Sequence, residues 1–152
     1  MRSDLLLYQD MPEYDSWVKL MLGGLLAITF LPGIVFIFID TGTALAMFAV
    51  TLFDSLLFAA ILPRQFQVFE DRLRIDLGGP FAMNVPLSEI KEVRTVSASH
   101  TFLYWGIRLA TSTSFVVEIV RTRGLDIVVS PSHGDIFIEE LNRARMAVEK
   151  SD

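Results

Sequence analysis

Two long apolar stretches, separated by a short polar link, constrain this sequence more than any other feature. Residues 20–39 contain no charged side chain, and residues 44–62 contain only one, Asp54. A helix of about 20 residues covers roughly 30 Å, which is the hydrocarbon thickness of a bilayer. The two stretches therefore predict two membrane-spanning helices rather than parts of a soluble core.

The residues that flank these stretches suit a helical hairpin in a bilayer. Trp17 and Lys19 precede the first stretch, where an amphipathic ring and a long ammonium side chain favour the membrane interface. Pro32 is expected to kink the first helix or weaken its last turns. Residues 40–43 (Asp-Thr-Gly-Thr) are typical of a tight turn, so the two helices are predicted to be antiparallel.

The distribution of positive charge predicts the orientation. The link carries Asp40 and no lysine or arginine. Basic residues lie on both outer flanks: Lys19 on one, and Arg64, Arg72 and Arg74 on the other. By the positive-inside rule both termini face the cytoplasm, which predicts a two-span protein of the cytoplasmic (inner) membrane. A cleaved signal peptide is the competing interpretation, which the acidic N-terminal residues and the long first stretch disfavour.

The chain therefore divides into an acidic cytoplasmic tail (1–18), a transmembrane hairpin (19–63) and a small domain (64–152). The formal net charge is −5, yet from Arg64 onward 11 basic and 12 acidic residues nearly balance. The sequence has no run of basic residues of the kind that predicts nucleic-acid binding. The sequence has no cysteine, which excludes disulfides, cysteine-ligated metals and thiol nucleophiles.

Alternation of apolar and polar residues predicts strands in the domain that follows Arg64. The apolar positions of the first two strands are Phe66 and Val68, then Leu73, Ile75 and Leu77, on either side of a turn at Glu70-Asp71. Further strands are predicted over residues 81–85, around 93–96, and over 115–120 and 125–129. The plan is six or seven antiparallel strands.

A helix is predicted after the last strand. Ser132 is expected to cap its N-terminus, and the helix runs to about Val148. Phe137, Leu141 and Ala144 lie with Val148 on one helical face, as expected for a helix that covers a sheet.

Several short segments follow one another in a recognisable order. They are residues 69–75 (FEDRLRI), 85–90 (VPLSEI), 104–108 (YWGIR) and 129–131 (VSP), the last followed by Phe137 and Leu141. In order and spacing they resemble the bacterial pleckstrin-homology-like (PH-like) domains, many of which follow a two-helix membrane hairpin. The resemblance covers nearly the whole chain.

The resemblance implies an α+β membrane protein: a transmembrane hairpin, then a PH-like antiparallel sheet or barrel with one C-terminal helix. It implies neither an enzymatic activity nor a defined ligand or cofactor. Leu103 and Tyr104 stand where the family pattern has glycines, which leaves the conformation of that loop open.

Asp54 is the candidate site within the hairpin. A carboxylate at mid-membrane costs about 2.5–3.5 kcal/mol on insertion scales, so it must be neutral, paired or turned toward protein. Thr29, Thr51 and Ser55 are candidate hydrogen-bond partners. Two interpretations stay open: a proton-coupled site, and, as the favoured one, a neutral acid bonded to a helix of another subunit or partner.

Small residues on the first span form a second candidate. Gly23, Gly24 and Ala27 permit close helix approach, either within the chain or between copies.

Four arginines on two predicted hairpins are candidate contacts for an anionic lipid headgroup: Arg72, Arg74, Arg121 and Arg123. Acidic residues alternate with them, so a solvated and charge-balanced sheet face is the favoured interpretation.

The segment 98–114 is a candidate partner-binding loop, because aromatic residues suit protein and membrane interfaces. Its candidate contacts are Phe102, Tyr104, Trp105 and Arg108. The alternative is that Trp105 and Ile107 enter the sheet core while Arg108 makes a structural pair.

No sequence pattern supports metal binding, catalysis or nucleotide binding. His100 and His133 have no spacing typical of a metal site, and the sequence predicts ordinary surface histidines. No nucleophile elbow, phosphate loop or dinucleotide motif is present. We therefore expect no cofactor and no catalytic residue.

The sequence as a whole favours a non-enzymatic accessory or scaffold protein. Its membrane anchor would fix a PH-like module at the cytoplasmic membrane face, where the module binds a protein partner or assembles with itself. The alternatives are a small transport or proton-pathway subunit that uses Asp54 in an oligomer, and an anionic-lipid-binding module.

Overall fold

A computed structural model of the protein describes residues 5–97 and 106–150. Within these ranges a strand and two long helices come first: β1 (Leu6–Asp10), α1 (Ser16–Phe36) and α2 (Thr41–Ile61). The sheet domain continues with β2 (Gln65–Phe69), β3 (Arg72–Asp76), β4 (Ala82–Pro86), a short 3-10 helix (Leu87–Glu89), β5 (Ile90–Val96), β6 (Ile107–Leu109), β7 (Val116–Arg121), β8 (Ile127–Val129) and α3 (Gly134–Glu149).

The helices α1 and α2 form the predicted antiparallel hairpin. Each has 21 residues and is long and apolar enough to cross a bilayer by length and composition. Both start earlier than predicted, because Asp15 and Asp40 precede them in extended conformation as N-caps. The Asp40 carboxylate accepts hydrogen bonds from the backbone N–H groups of Gly42 (3.0 Å) and Thr43 (3.3 Å), as expected for an N-cap.

The strands form two four-stranded sheets, with the orders β1-β2-β3-β4 and β5-β7-β8-β6. The β2–β3 hairpin confirms the predicted alternation: Phe66, Val68, Leu73 and Ile75 are fully buried. The face of α3 is also confirmed, because Phe137 and Leu141 are fully buried in a core to which both sheets contribute. The Phe66 and Phe137 rings lie 5.9 Å apart.

Three features of the sheet domain differ from the predictions. The β6–β8 pair is parallel, although every other pair in the described residues is antiparallel. In β7 the four consecutive residues 116–119 are all buried, so both faces of this part of the strand are covered, whereas alternation predicted one exposed face. The predicted Ser132 cap is wrong: His133 precedes α3, and the Ser132 hydroxyl donates instead to the Met11 carbonyl (3.0 Å).

The most consequential difference is β1, which the sequence analysis did not predict. It pairs antiparallel with β2, so part of the N-terminal tail is the edge strand of the first sheet. The helical hairpin is therefore inserted between the first and second strands of one sheet.

Candidate functional site

The segment between β1 and α1 is bound along its length to the sheet domain. Three backbone hydrogen bonds fix it: Ser132 N–H to Met11 O (2.9 Å), Glu13 N–H to Ser130 O (2.9 Å) and Asp15 N–H to Thr111 O (3.1 Å). Such paired backbone groups leave the chain little freedom before α1 begins.

The Asp15 carboxylate adds side-chain contacts to this segment. It accepts hydrogen bonds from the Ser112 hydroxyl (2.7 Å), from the Thr113 backbone N–H (2.8 Å) and hydroxyl (2.9 Å), and from the Trp17 indole N–H (3.1 Å). The Ser112 bond is the largest of the effects that lower the pKa of Asp15 below its ordinary value, because each donor favours the charged form. The polar run 111–114 therefore binds Asp15, the residue immediately before α1.

Ser130 is the buried centre of the same region. Its fully buried hydroxyl oxygen accepts hydrogen bonds from the backbone N–H groups of Thr111 (2.8 Å) and Ser112 (3.1 Å). The Thr111 hydroxyl in turn donates to the Glu13 carbonyl (2.5 Å). One serine therefore satisfies two backbone donors that would otherwise be buried without a partner.

The end of α2 is bound to the sheet domain as well. The Tyr14 hydroxyl donates to the Pro63 carbonyl (2.6 Å), and burial raises the pKa of Tyr14. Gly78 is buried after β3, where its N–H donates to the Ala60 carbonyl (3.2 Å). A Cβ at Gly78 would collide with the Ala59 carbonyl.

We call this set of contacts at both helix ends the junction. It comprises residues 11–15, 60–64, 76–78, 111–113 and 130–132. Because it binds α1 and α2 separately, the sheet domain has a defined position on the helical hairpin.

Asp54 lies on the stripe of α2 that faces α1, and its side chain is half-buried. Its predicted partners bond elsewhere: the Thr51 hydroxyl contacts that of Thr29 (2.9 Å), and the Ser55 hydroxyl donates to the Thr51 carbonyl (2.7 Å). Within the described part of the chain, the Asp54 carboxylate has no hydrogen-bond partner.

Gly23 and Gly24 of α1 do not serve the α1–α2 contact. Gly23 and Gly24 are exposed, and a Cβ at either would meet no atom within 4 Å. Gly33 instead fills this role, because it is buried against the Phe48 ring. The surface at Gly23 and Gly24 is therefore open to a second molecule.

Three of the four predicted lipid-contacting arginines form ion pairs with carboxylates in the structure. Arg72 pairs with Asp71 (3.0 Å) and lies over the Phe69 ring (4.8 Å), Arg74 pairs with Asp76 (2.6 Å), and Arg121 pairs with Glu89 (2.8 Å). Arg123 is exposed in the turn after β7. Arg72 and Arg74 belong to the first sheet, whereas Arg121 belongs to the second.

The candidate partner-binding loop is only partly described. Phe102, Tyr104 and Trp105, with His100, lie outside the described residues. Arg108 is exposed on β6, and its neighbour Ile107 packs partly buried against the core, as the alternative interpretation predicted.

His133 contacts a buried acid that the sequence analysis did not single out. The Asp10 carboxylate accepts hydrogen bonds from the backbone N–H groups of His133 (2.9 Å) and Met11 (2.8 Å), and lies 3.2 Å from His133 Nδ1. This pair ties the end of β1 to the start of α3. The described residues contain no group of three metal-ligating side chains.

The edge strand β1 carries an exposed apolar surface. Leu5, Leu6 and Leu7 are 56%, 42% and 42% exposed. Beside them a groove of about 620 Å³ runs between β1 and α3, and we call it the β1–α3 groove. Its lining consists of Leu7, Ala144, Ala147 and Val148, with Glu70, Glu140 and Arg143.

This surface was missed because its leucines do not alternate with polar residues, as a half-buried strand would require. The only signal in the sequence is three consecutive leucines in an otherwise acidic tail.

No family model, no curated protein and no solved structure matches the chain.

Proposed function

We propose that this protein is a non-enzymatic membrane-anchored module. In this proposal α1 and α2 cross the cytoplasmic membrane, and a PH-like sheet domain on the cytoplasmic face binds a protein partner or a second copy of the chain. The observation that carries the binding role is the exposed apolar surface of β1 beside the β1–α3 groove.

Membrane anchoring is supported by where the apolar residues of the hairpin lie. The two helices have mean hydropathies of 2.0 and 2.1, and only 11% of each apolar window is buried inside the protein. In water they would expose many large apolar side chains, a surface far beyond that of ordinary soluble proteins. A bilayer removes that cost, and 21 residues give about 31 Å of helix.

The orientation is supported by the sheet and by charge. Because β1 pairs with β2, the segments before α1 and after α2 lie on the same side of the hairpin. Lys19 and Arg64 lie at that end, whereas the turn between the helices carries Asp40. Under the positive-inside rule this end faces the cytoplasm.

The PH-like part of the proposal is supported by the architecture after α2. Two four-stranded sheets, antiparallel except for the β6–β8 pair, share one core, in which the C-terminal helix buries Phe137 and Leu141. Sheets of this kind with one C-terminal helix are what the sequence resemblance leads us to expect of a PH-like domain, and they support this part of the proposal.

The binding role is supported by the composition of the β1 surface. An apolar centre with a charged rim is the usual anatomy of a protein interface. Leu7 and Val148 supply the apolar part of the groove, and Glu140 and Arg143 supply charge beside it. The junction presents this surface in a fixed position, which lowers the ordering cost of binding.

Cysteine labelling tests the anchoring, since the natural sequence has no cysteine. In right-side-out membrane vesicles, a membrane-impermeant maleimide is expected to label Ile39→Cys and to leave Ser88→Cys unlabelled until detergent is added. Ile39 lies exposed in the interhelical turn, and Ser88 lies exposed in the sheet domain. Equal labelling of both positions in sealed vesicles contradicts the proposed topology.

Photocrosslinking tests the binding surface. A photoreactive phenylalanine analogue at Leu7 is expected to crosslink in native membranes to one defined protein, or to a second copy of the chain. The same analogue at Leu125, which is 57% exposed on the β7–β8 turn, serves as the matched control. Adding Leu6→Glu is expected to reduce the crosslink at least about tenfold, since it puts a charge in an apolar contact. Identical crosslinks from both positions refute the β1 surface as the binding site.

A further inference from the structure

A polar pocket adjoins the junction at Arg64 and Asp76. It has a volume of about 460 Å³ and opens beside the turn between β3 and β4. Its lining consists of Arg64, Gln65, Arg74, Asp76, Leu77, Gly79, Pro80 and Phe81. The proposed binding of a protein partner at the β1 surface does not use it.

The pocket lies at the level where α2 ends. The Arg64 N–H donates to the Asp76 carbonyl (2.8 Å), and the Gly78 N–H donates to the Ala60 carbonyl (3.2 Å). These bonds place the β3–β4 turn beside the last turn of the apolar helix. Under the proposed anchoring, on which this inference rests, that level is the headgroup layer of the cytoplasmic leaflet.

The charge of the pocket favours a monoanion. Arg64 is exposed, and no carboxylate among the described residues forms an ion pair with its guanidinium. Arg74 bonds to Asp76 through Nε (2.6 Å), which neutralises that acid and leaves the terminal nitrogens of Arg74 for another acceptor. Two arginines against one aspartate give the pocket a net charge of about +1, and guanidinium groups bind phosphate oxygens in a bidentate manner.

An exposed aromatic residue adjoins this charge. The Phe81 side chain is 55% exposed at the rim, next to Pro80. An apolar ring beside arginines is the combination that interfacial protein segments present to a lipid surface. A freely dissolved phosphate would gain nothing from this ring, whereas a lipid brings its acyl and glycerol groups to it.

We propose that this pocket binds the phosphate of an anionic phospholipid headgroup, with Arg64 as the principal contact and Phe81 in the interfacial layer. The site differs from the arginine set expected from the sequence, because Arg72 and Arg121 point to other partners and only Arg74 is shared.

Native mass spectrometry of the full chain tests the site. The protein is reconstituted in nanodiscs of phosphatidylcholine with a minor fraction of phosphatidylglycerol, and the lipids that stay bound are counted. The wild type is expected to retain phosphatidylglycerol preferentially. Arg64→Gln is expected to lower that retention by roughly tenfold, because a charge-assisted hydrogen bond is lost. The hydrogen bond of Arg64 in the junction uses its backbone N–H, which glutamine keeps, so the variant is expected to retain the fold.

Lys91→Gln is the matched control, since it removes the same charge from an exposed position on β5. It is expected to retain phosphatidylglycerol like the wild type. Inorganic phosphate is added in a parallel titration and is expected not to displace the lipid; displacement at low concentration would overturn the lipid assignment in favour of a free phosphate ligand.

The possible outcomes distinguish a failure of this lipid site from a failure of the proposed membrane anchoring. A chain that fails to enter nanodiscs overturns the anchoring and the site together. A chain that enters them but retains the two lipids equally, or responds alike to Arg64→Gln and Lys91→Gln, overturns the site alone.

Discussion

Gly78→Ala is expected to separate the sheet domain from the end of α2. The new Cβ would collide with the Ala59 carbonyl, which is backbone and cannot move unless the last turn of α2 moves with it. We expect a loss of about 3 kcal/mol in stability, as for severe overpacking of a buried site. The hydrogen bond from Gly78 to Ala60 is lost at the same time. Thermal melting of the purified full chain and limited proteolysis between residues 60 and 80 measure the effect.

Gly23→Ala is the matched control for this prediction. The same methyl group at Gly23 meets open space, and alanine has the higher helix propensity. The control is expected to melt at or slightly above the wild-type temperature. If both glycine variants melt and resist protease like the wild type, the close approach of the β3–β4 turn to α2 is wrong.

Ser130→Ala is expected to cost about 2–4 kcal/mol, because it leaves two buried backbone N–H groups without an acceptor. These belong to Thr111 and Ser112, which the Ser130 hydroxyl oxygen satisfies at 2.8 Å and 3.1 Å. The expected result is a lower melting temperature together with faster hydrogen exchange at those two amides. Circular dichroism and exchange mass spectrometry measure the two effects.

Ser132→Ala provides the comparison two residues away. The Ser132 hydroxyl makes a single exposed hydrogen bond to Met11, so its removal is expected to cost less than about 1 kcal/mol. Equal melting temperatures for the two serine variants would show that the Ser130 contacts contribute no stability.

The parts of the fold that the sequence predicted are those with a local signal. The β2–β3 hairpin has strict alternation around a turn, and α3 has an apolar face at helical spacing. In both, burial of the apolar positions follows from residues within a few positions of one another. The two apolar helices were equally clear, although their first residues were displaced by the capping aspartates.

The parts that the sequence did not predict depend on contacts between distant segments. β1 is stabilised by β2, which lies more than 50 positions later, and its own leucines are exposed. Asp15 reaches Ser112 across 97 positions. Nothing in the local sequence pattern of either segment indicates such a partner, so the sequence did not predict the junction.

For the candidate sites as well, the sequence identified single residues but not the distant contacts around them. Asp54 was identified by its charge alone, yet the hydroxyls expected to bond it are used by other acceptors. The arginines were grouped by hairpin, and in the structure three of them form ion pairs: Arg72 with Asp71, Arg74 with Asp76, and Arg121 with the distant Glu89. Arg64 was noted only as a flanking charge, because its pocket needs the β3–β4 turn to fold back beside it.

The insertion of the helices between β1 and β2 has a consequence for the order of events during synthesis. β1 leaves the ribosome first, but its hydrogen-bonding neighbour is made only after both helices have been completed. The segment that forms β1 therefore has no strand to pair with until β2 has been made. The first sheet can form only when both ends of the helical hairpin lie on the same side. Under the proposed anchoring, a chain inserted with the two ends of its helical hairpin on opposite sides of the membrane could not form its first sheet.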